Sequence, residues 1–128
     1  MISVEHLTKT FGKLTVLHEL DLEIGRGGII AILGPNGSGK TTLIKNILGM
    51  VIPDQGQISI DQKSVLKQWN YRNDIDYLPQ IARFPENLKV SELIDLVKDL
   101  RNKATREDEL IQLFELQPFM NKKLMNLS

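Results

Sequence analysis

The residues best suited to chemistry form a glycine-rich loop that ends in lysine and threonine. The loop matches the phosphate-binding pattern G-x-x-x-x-G-K-[ST] at every specified position and reads Gly34-Pro35-Asn36-Gly37-Ser38-Gly39-Lys40-Thr41. Phosphate oxygens need several converging donors, and glycine lets successive backbone N–H groups approach them without obstruction. The pattern predicts that this loop binds the phosphates of a nucleotide, although a glycine-rich turn can also match it by chance.

Three side chains at the end of the loop add specific chemistry. Lys40 supplies a mobile positive charge for the β and γ phosphates, and the Thr41 hydroxyl is suited to ligating Mg²⁺. Thr42 can donate a further hydrogen bond to a phosphate. The expected ligand is therefore a nucleoside triphosphate with its magnesium ion.

The segments on either side of the loop favour this interpretation over a chance match. Residues 29–33 are all apolar and lie between glycines, which is typical of a parallel strand buried on both faces. After the loop, apolar residues at helical spacing predict a helix over 42–50. Strand, loop and helix follow one another directly, and a helix N-terminus favours negative charge.

Periodicity predicts the remaining elements. Alternating apolar and polar residues predict strands over 2–7, 16–24, 57–61 and 75–78, with turns over 10–13, 25–28 and 53–56. The last third is predicted to be helical. Ser91 is expected to cap one helix, and Thr105 with Asp108 resembles the capping box of another.

Composition sets the broad class of protein. The chain has 128 residues, 41% of them hydrophobic, and 16 basic residues balance 16 acidic ones. This balance offers no electrostatic basis for binding nucleic acid, and the absence of cysteine excludes disulfides and thiol chemistry. No signal peptide or membrane-length apolar run is present, which predicts a cytoplasmic location.

Other polar residues are weaker candidates. A phosphate-loop hydrolase needs a second acidic group for Mg²⁺, usually at the end of an apolar strand. Asp61 and Asp76 follow alternating segments, so Asp61 is interpreted as a turn residue and Asp76 is rejected for the same reason. His6 and His18 have no evident carboxylate partner and are interpreted as structural. The charges of residues 98–106 are expected to form a solvated helix face.

Several stretches together resemble the N-terminal half of the ATP-binding subunit of an ABC (ATP-binding cassette) transporter. The resemblance covers essentially the whole chain and rests on VEHLTKTFG, GPNGSGKTT, PDQGQISIDQ and YLPQ followed by PENLKVSELI. It implies an α/β P-loop ATPase core with an N-terminal antiparallel β-subdomain (1–80 with the loop) and the start of a helical subdomain (81–128). Within the family, YLPQIARFPENL is similar to the exporter-like ATPases that accompany copper loading of nitrous oxide reductase.

The resemblance also implies roles for individual residues. Phe11 would stack on adenine, where base–aromatic stacking contributes about 1–3 kcal/mol, and Val16 would lie near the same base. Gln80 would reach Mg²⁺ and the attacking water when ATP is bound. The residues after Gln80, 81–90, would face the coupling helix of a membrane permease at the inner face of the membrane, and a second ATP-binding subunit would complete a dimer.

The end of the chain departs from the family pattern. Leu127 and Ser128 look like the first residues of the family signature. Three parts of the family pattern are absent: the remainder of the signature, the second acidic strand with its catalytic glutamate, and the switch histidine. We therefore expect a truncated subunit, or less favourably a poorly soluble product, that does not turn ATP over alone. The alternatives are a non-catalytic nucleotide-binding module and a soluble ABC ATPase of repair or translation.

Overall fold

The computed structural model of the protein describes residues 1–80, 84–101 and 106–127. The chain forms two compact units, Met1–Asp76 and Tyr77–Ser128. The first unit contains an antiparallel sheet, the glycine loop, one α-helix and one 3-10 helix, and the described residues of the second contain two α-helices and short 3-10 turns. The proposed subdomain boundary after Gln80 stays a prediction.

The first unit is organised by a long antiparallel hairpin. Strand β1 (Ile2–Phe11) pairs with β2 (Leu14–Ile24) through a tight turn at Gly12 and Lys13. β1 pairs on its other side with β3 (Gln55–Ile60), which continues into the short β4 (Lys63–Ser64). The sheet order is β2-β1-β3-β4. The predicted strands near the N-terminus and after the helix are confirmed, with β1 longer than expected.

Bulges interrupt the register of this sheet. Val4 pairs with Leu22 and Leu7 with Leu20, so β1 carries an extra residue between them. Further along, Lys9 pairs with Leu17 but Thr10 pairs with Thr15, which leaves Val16 as an extra residue of β2. Because bulges redirect the neighbouring backbone and side chains, these positions depart from simple alternation.

One helix covers the core side of the sheet. Helix α1 (Lys40–Ile47) begins at the end of the glycine loop and contributes Leu43 and Ile47 to the core. The predicted phosphate-loop helix is thus confirmed, although it begins and ends earlier than 42–50. The core joins α1 to all three long strands and contains Val4, Leu7, Leu17, Leu43, Ile47, Ile58, Val65 and Tyr71.

The prediction of a buried parallel strand over 29–33 is wrong for this structure. The segment lies outside every helix and strand, and Ile29 and Leu33 are 104% and 88% exposed. A parallel strand is buried by neighbouring strands and covering helices. In the described part of the chain the sheet consists of β1–β4, and none of these strands pairs with 29–33.

The strand predicted over 75–78 is also absent. A 3-10 helix spans Asn70–Asp74 and buries Tyr71 in the core, and residues 75–78 lie outside the sheet, with Ile75 in an extended conformation. The Arg72 guanidinium lies 4.4 Å from the centre of the Trp69 ring and donates to the Gly49 carbonyl at 2.8 Å. This contact fastens the 3-10 helix to the end of α1.

The second unit contains the predicted helices, with different caps. Helix α2 (Val90–Arg101) begins one residue before Ser91, so Ser91 is not its N-cap. Instead the Glu92 carboxylate accepts the Lys89 N–H at 2.8 Å, and the Leu93 N–H donates to the Lys89 carbonyl at 3.0 Å. A glutamate in the first turn thus satisfies a backbone donor that precedes the helix, which corresponds to one half of a capping box.

Helix α3 (Glu107–Leu113) follows, and its first turn is acidic. Thr105, half of the expected capping box, lies outside the described residues, and Arg106 at the N-cap makes no side-chain cap bond. Lys98 is not simply solvated, because its ammonium lies 2.6 Å from the Glu107 carboxylate. Short 3-10 turns at Gln117–Phe119 and Leu124–Asn126 complete the unit. No helix in the described ranges is long and apolar enough to cross a membrane.

Candidate phosphate-binding site

The glycine loop adopts backbone angles that glycine tolerates best. Gly37 and Gly39 have φ of +84° and +88°, which lie in the left-handed region. Between them, the Ser38 N–H donates to the Pro35 carbonyl at 3.3 Å, which closes a turn within the loop. A Cβ added at Gly34 would lie 2.8 Å from the Ser38 hydroxyl, so the loop also folds tightly onto its own beginning.

Gly39 is held directly against strand β2. A Cβ at this position would lie 2.9 Å from the Val16 carbonyl oxygen and 2.9 Å from Leu17 Cδ2. Val16 is the extra residue of the β2 bulge, so the bulge brings its backbone to the last glycine of the loop. The sequence pattern of alternation gave no sign of this bulge. The contact fixes the end of the loop on the core hairpin.

Lys40 folds back over the loop that precedes it. Its ammonium donates to the carbonyls of Gly34 and Pro35 at 2.8 and 2.7 Å, and lies 3.5 Å from the Ser38 hydroxyl. A positive charge is thus fixed at the mouth of the glycine turn. This is the position in which an ammonium can meet a phosphate that enters the loop.

The N-terminus of α1 opens at the same place. Gly39 is its N-cap and provides no side chain to satisfy the first amides of the helix. The first backbone bond of the helix runs from the Leu43 N–H to the Gly39 carbonyl at 2.8 Å. Amides earlier than this have no intrahelical acceptor, and with the helix dipole they favour an anion. Thr41 is exposed in this first turn, and Thr42 is half-buried.

Phe11 and Val16 lie at the hairpin end nearest the loop. Phe11 ends β1, is 49% exposed and pairs with Leu14 across the turn. Val16 is half-buried beside Gly39. The structure therefore brings Val16 to the loop and leaves the Phe11 ring accessible on the same hairpin.

Two residues that the sequence analysis overlooked contact this end of the hairpin. The Lys9 ammonium lies 5.3 Å from the centre of the Phe11 ring and 2.8 Å from an Asp54 carboxylate oxygen. The other Asp54 oxygen accepts the Thr10 N–H at 2.7 Å. Lys9 stands two positions before Phe11, a spacing that places both on one face of a strand, whereas Asp54 was assigned only to a turn.

Gln80 is exposed and lies in the second unit. Its expected role near Mg²⁺ stays a prediction. Of the segment expected to face a permease, residues 81–83 lie outside the described residues, and the part that follows leads into α2. No group of three or more acidic or histidine side chains is arranged to hold a metal within the described ranges, 1–80, 84–101 and 106–127.

Two of the residues rejected as catalytic candidates, Asp61 and His6, have structural partners. Asp61 follows β3 with φ of +48°, as expected for a turn residue, and accepts hydrogen bonds from the N-terminal ammonium at 2.8 Å and from Arg26 Nε at 3.1 Å. These bonds, the ammonium first, lower the Asp61 pKa to about 2. His6 does have a carboxylate neighbour, contrary to expectation, since its Nδ1 lies 3.6 Å from Asp21 in an exposed pair.

Comparison with known proteins decides the family. The family model described as ABC transporter matches residues 17–128, which include the glycine loop and helices α1, α2 and α3. The chain belongs to the ABC transporter family. This match confirms the family that the sequence resembles and the predicted fold class, a P-loop ABC-type core.

Two curated ABC proteins illustrate the similarity. A probable ABC transporter ATP-binding protein of Azorhizobium caulinodans is 38% identical over 114 residues, covering 85% of this chain and 41% of the relative. The lipopolysaccharide export system ATP-binding protein LptB of Haemophilus influenzae is 36% identical over 125 residues, covering 91% of this chain and 52% of the relative. The chain thus spans about half the length of these ABC relatives.

A solved structure supports the same conclusion. The dimeric, post-hydrolysis structure of the ATP-binding cassette MJ0796 bound to ADP and Pi is 25% identical, with a TM-score of 0.83. The match covers all of this chain and 63% of that one. The antiparallel sheet, glycine loop and helices of this ABC chain therefore correspond to part of a complete cassette.

Proposed function

We propose that this chain binds Mg-ATP through residues 34–42 as part of an ABC transporter ATP-binding subunit. The observation that carries the proposal is the geometry of the loop. Gly39 packs against Val16 and opens an uncapped helix, while the Lys40 ammonium is held over the loop by two carbonyls. Phosphate groups fit this arrangement because a helix N-terminus without a side-chain cap and a nearby ammonium both favour an anion.

Each residue of the loop has a role in this proposal. The Lys40 ammonium exchanges its bonds with the Gly34 and Pro35 carbonyls for bonds to the β and γ phosphates. The backbone N–H groups of residues 36–42, except that of Ser38, which is bonded to the Pro35 carbonyl, would contact the phosphates. Thr42 would add a hydroxyl, and Thr41 would ligate Mg²⁺. The magnesium ion would neutralise phosphate charge when bound.

The adenine and the reacting water involve residues away from the loop. Phe11 stacks on the base and Val16 contacts its edge, which the half-exposed ring and the Val16–Gly39 contact support. On the family pattern, Gln80 would contact Mg²⁺ and the attacking water. The roles of Phe11 and Val16 rest on the family pattern and on their placement at one end of the hairpin. The role of Gln80 rests on the family pattern alone.

In the complete protein, we propose that ATP hydrolysis drives transport by a membrane permease. Residues after Gln80 contact the permease at the inner face of the membrane, and a second ATP-binding subunit completes the site. The dimeric state of the MJ0796 cassette supports this arrangement. We expect the 128 residues alone to bind the nucleotide without turning it over, because no second acidic strand or signature glycine is among them.

A binding experiment with matched lysine variants tests the proposal. Mg-ATP affinity is measured by isothermal titration calorimetry for the chain, for Lys40→Ala and for Lys45→Ala. Lys45 is an exposed lysine in the last turn of the same helix, so it controls for charge and helix propensity. A charged hydrogen bond contributes about 1.5–3 kcal/mol, so Lys40→Ala should bind about 10- to 100-fold more weakly.

Lys45→Ala should bind Mg-ATP like the unaltered chain. If the chain binds Mg-ATP and Lys40→Ala retains that affinity, or if both lysine variants weaken binding equally, the loop is not the phosphate site. Either result would contradict the proposed function.

A further inference from the structure

We infer that Lys9 and Asp54 are positioning residues that hold the Phe11 ring for stacking on the nucleotide base. The inference rests on the proposed function, since it concerns the same nucleotide. It adds two residues that the phosphate-loop pattern does not contain and assigns them to recognition of the base.

The first support is a chain of direct contacts. The Lys9 ammonium lies 5.3 Å from the Phe11 ring centre, within the range of a cation–π interaction. The same ammonium lies 2.8 Å from the Asp54 carboxylate, whose second oxygen accepts the Thr10 N–H at 2.7 Å. Asp54 is anchored in turn by its own N–H, which donates to the Thr8 carbonyl at 2.9 Å. The ring, the lysine and the strand backbone are thus fixed by one carboxylate.

The second support is the position of these contacts relative to the loop. Lys9 pairs with Leu17 in the β1–β2 register, and Leu17 is the residue whose side chain abuts Gly39. Phe11 lies two residues further along β1, about 7 Å at the usual rise of a strand. Phe11 therefore lies within two residues of the strand position that pairs with Leu17 beside Gly39, at the end of the hairpin that contacts the phosphate loop.

The third support is the difference in exposure. The Lys9 side chain is only 14% exposed although it carries a charge, whereas the Phe11 residue is 49% exposed. A charged group is covered this far only when it is paired, and Asp54 provides the pair. Because the Lys9 cation lies against the Phe11 ring, the base of a nucleotide can stack only on the part of the ring surface that the cation does not cover. Hydrogen bonding to Lys9 and to the Thr10 N–H lowers the Asp54 pKa, so the carboxylate is charged at neutral pH.

The test compares two ligands that share the phosphates but differ in the base. Mg-ATP and Mg-tripolyphosphate are each titrated into the chain and into Lys9→Met, Lys9→Arg, Asp54→Asn and Phe11→Ala. The control variant is Lys63→Met, which removes an exposed lysine from β4 at the far side of the sheet. Tripolyphosphate affinity reports whether the loop itself is still folded in each variant.

We expect Lys9→Met to bind Mg-ATP about three- to tenfold more weakly and to bind tripolyphosphate unchanged. Asp54→Asn should also bind Mg-ATP more weakly and tripolyphosphate unchanged. Lys9→Arg, which keeps the positive charge, and the control Lys63→Met should both bind Mg-ATP like the unaltered chain. In the Phe11→Ala background, Lys9→Met should cause no further loss, because the ring that it positions is gone.

Two results would overturn the inference while leaving the proposed function intact. One is unchanged ATP affinity in Lys9→Met, and the other is equal weakening of ATP and tripolyphosphate, which indicates general damage to the fold. If the unaltered chain binds neither ligand, the proposed function itself fails and the inference fails with it.

Discussion

Replacing Gly39 by alanine should destabilise the protein more than the same change at Gly37. Both glycines have nearly the same backbone angle, with φ of +88° and +84°, so each alanine should cost about 1–2 kcal/mol from strain alone. The surroundings differ. A Cβ at Gly37 meets nothing within 4 Å, whereas one at Gly39 would lie 2.9 Å from the Val16 carbonyl oxygen.

The additional cost at Gly39 follows from this close contact. The Val16 carbonyl belongs to the backbone of β2 and cannot rotate away, so the new methyl group must displace the loop or the strand. Overpacking of this kind costs about 1–3 kcal/mol. Gly39→Ala should therefore lower the free energy of unfolding by about 1–3 kcal/mol more than Gly37→Ala does.

Urea unfolding measures this difference. Far-UV circular dichroism follows the sheet, and the single tryptophan, Trp69, reports on the 3-10 helix that is fastened to the end of α1. The Gly37→Ala variant controls for the strain that the two positions share. Equal destabilisation of the two variants would refute the packing of Gly39 against β2.

Three further predictions concern the sheet, pH and turnover. Gly56→Ala should destabilise the protein more than Gly12→Ala in the same urea assay, because a Cβ at Gly56 would meet backbone carbonyls of β1 while Gly12 faces open space. Asp61→Asn should lower the free energy of unfolding at pH 7, because the charged carboxylate is the form that stabilises the fold. The difference from the unaltered chain should fade as the pH drops from 3.8 towards about 2, where the Asp61 carboxylate becomes protonated. A difference that does not depend on pH would contradict this prediction. The 128-residue chain should show no steady-state ATPase activity, and a rate that disappears in Lys40→Ala would disprove that expectation.

Local patterns predicted the hairpin and the phosphate loop well. Alternation identified β1, β2 and β3 because each strand has one face on the core, and the loop was found because glycine, lysine and threonine are needed at fixed spacing. Residues of the loop and α1 are neighbours in the chain, so their arrangement follows from short-range geometry. The turn role of Asp61 was predictable for the same reason.

Features that depend on distant partners were not predictable. The apolar run at 29–33 has the composition of a buried strand, but burial requires neighbouring strands, and β1–β4 do not pair with it. The Val16 bulge is invisible in the alternation of β2, because it is defined by pairing with β1. Asp54 was assigned to a turn, since only the folded sheet brings it to Lys9 and Thr10.

The most direct test of phosphate binding is to follow the loop's own backbone amides during titration. In ¹⁵N-labelled protein, Mg-ATP should shift the amide resonances of Gly37, Gly39, Lys40 and Thr41, and Mg-tripolyphosphate should shift the same amides. The amide of Gly12, in the turn next to Phe11, should respond to ATP only. Saturable shifts confined to other parts of the chain, or no shift of the loop amides while ATP binds, would contradict the account.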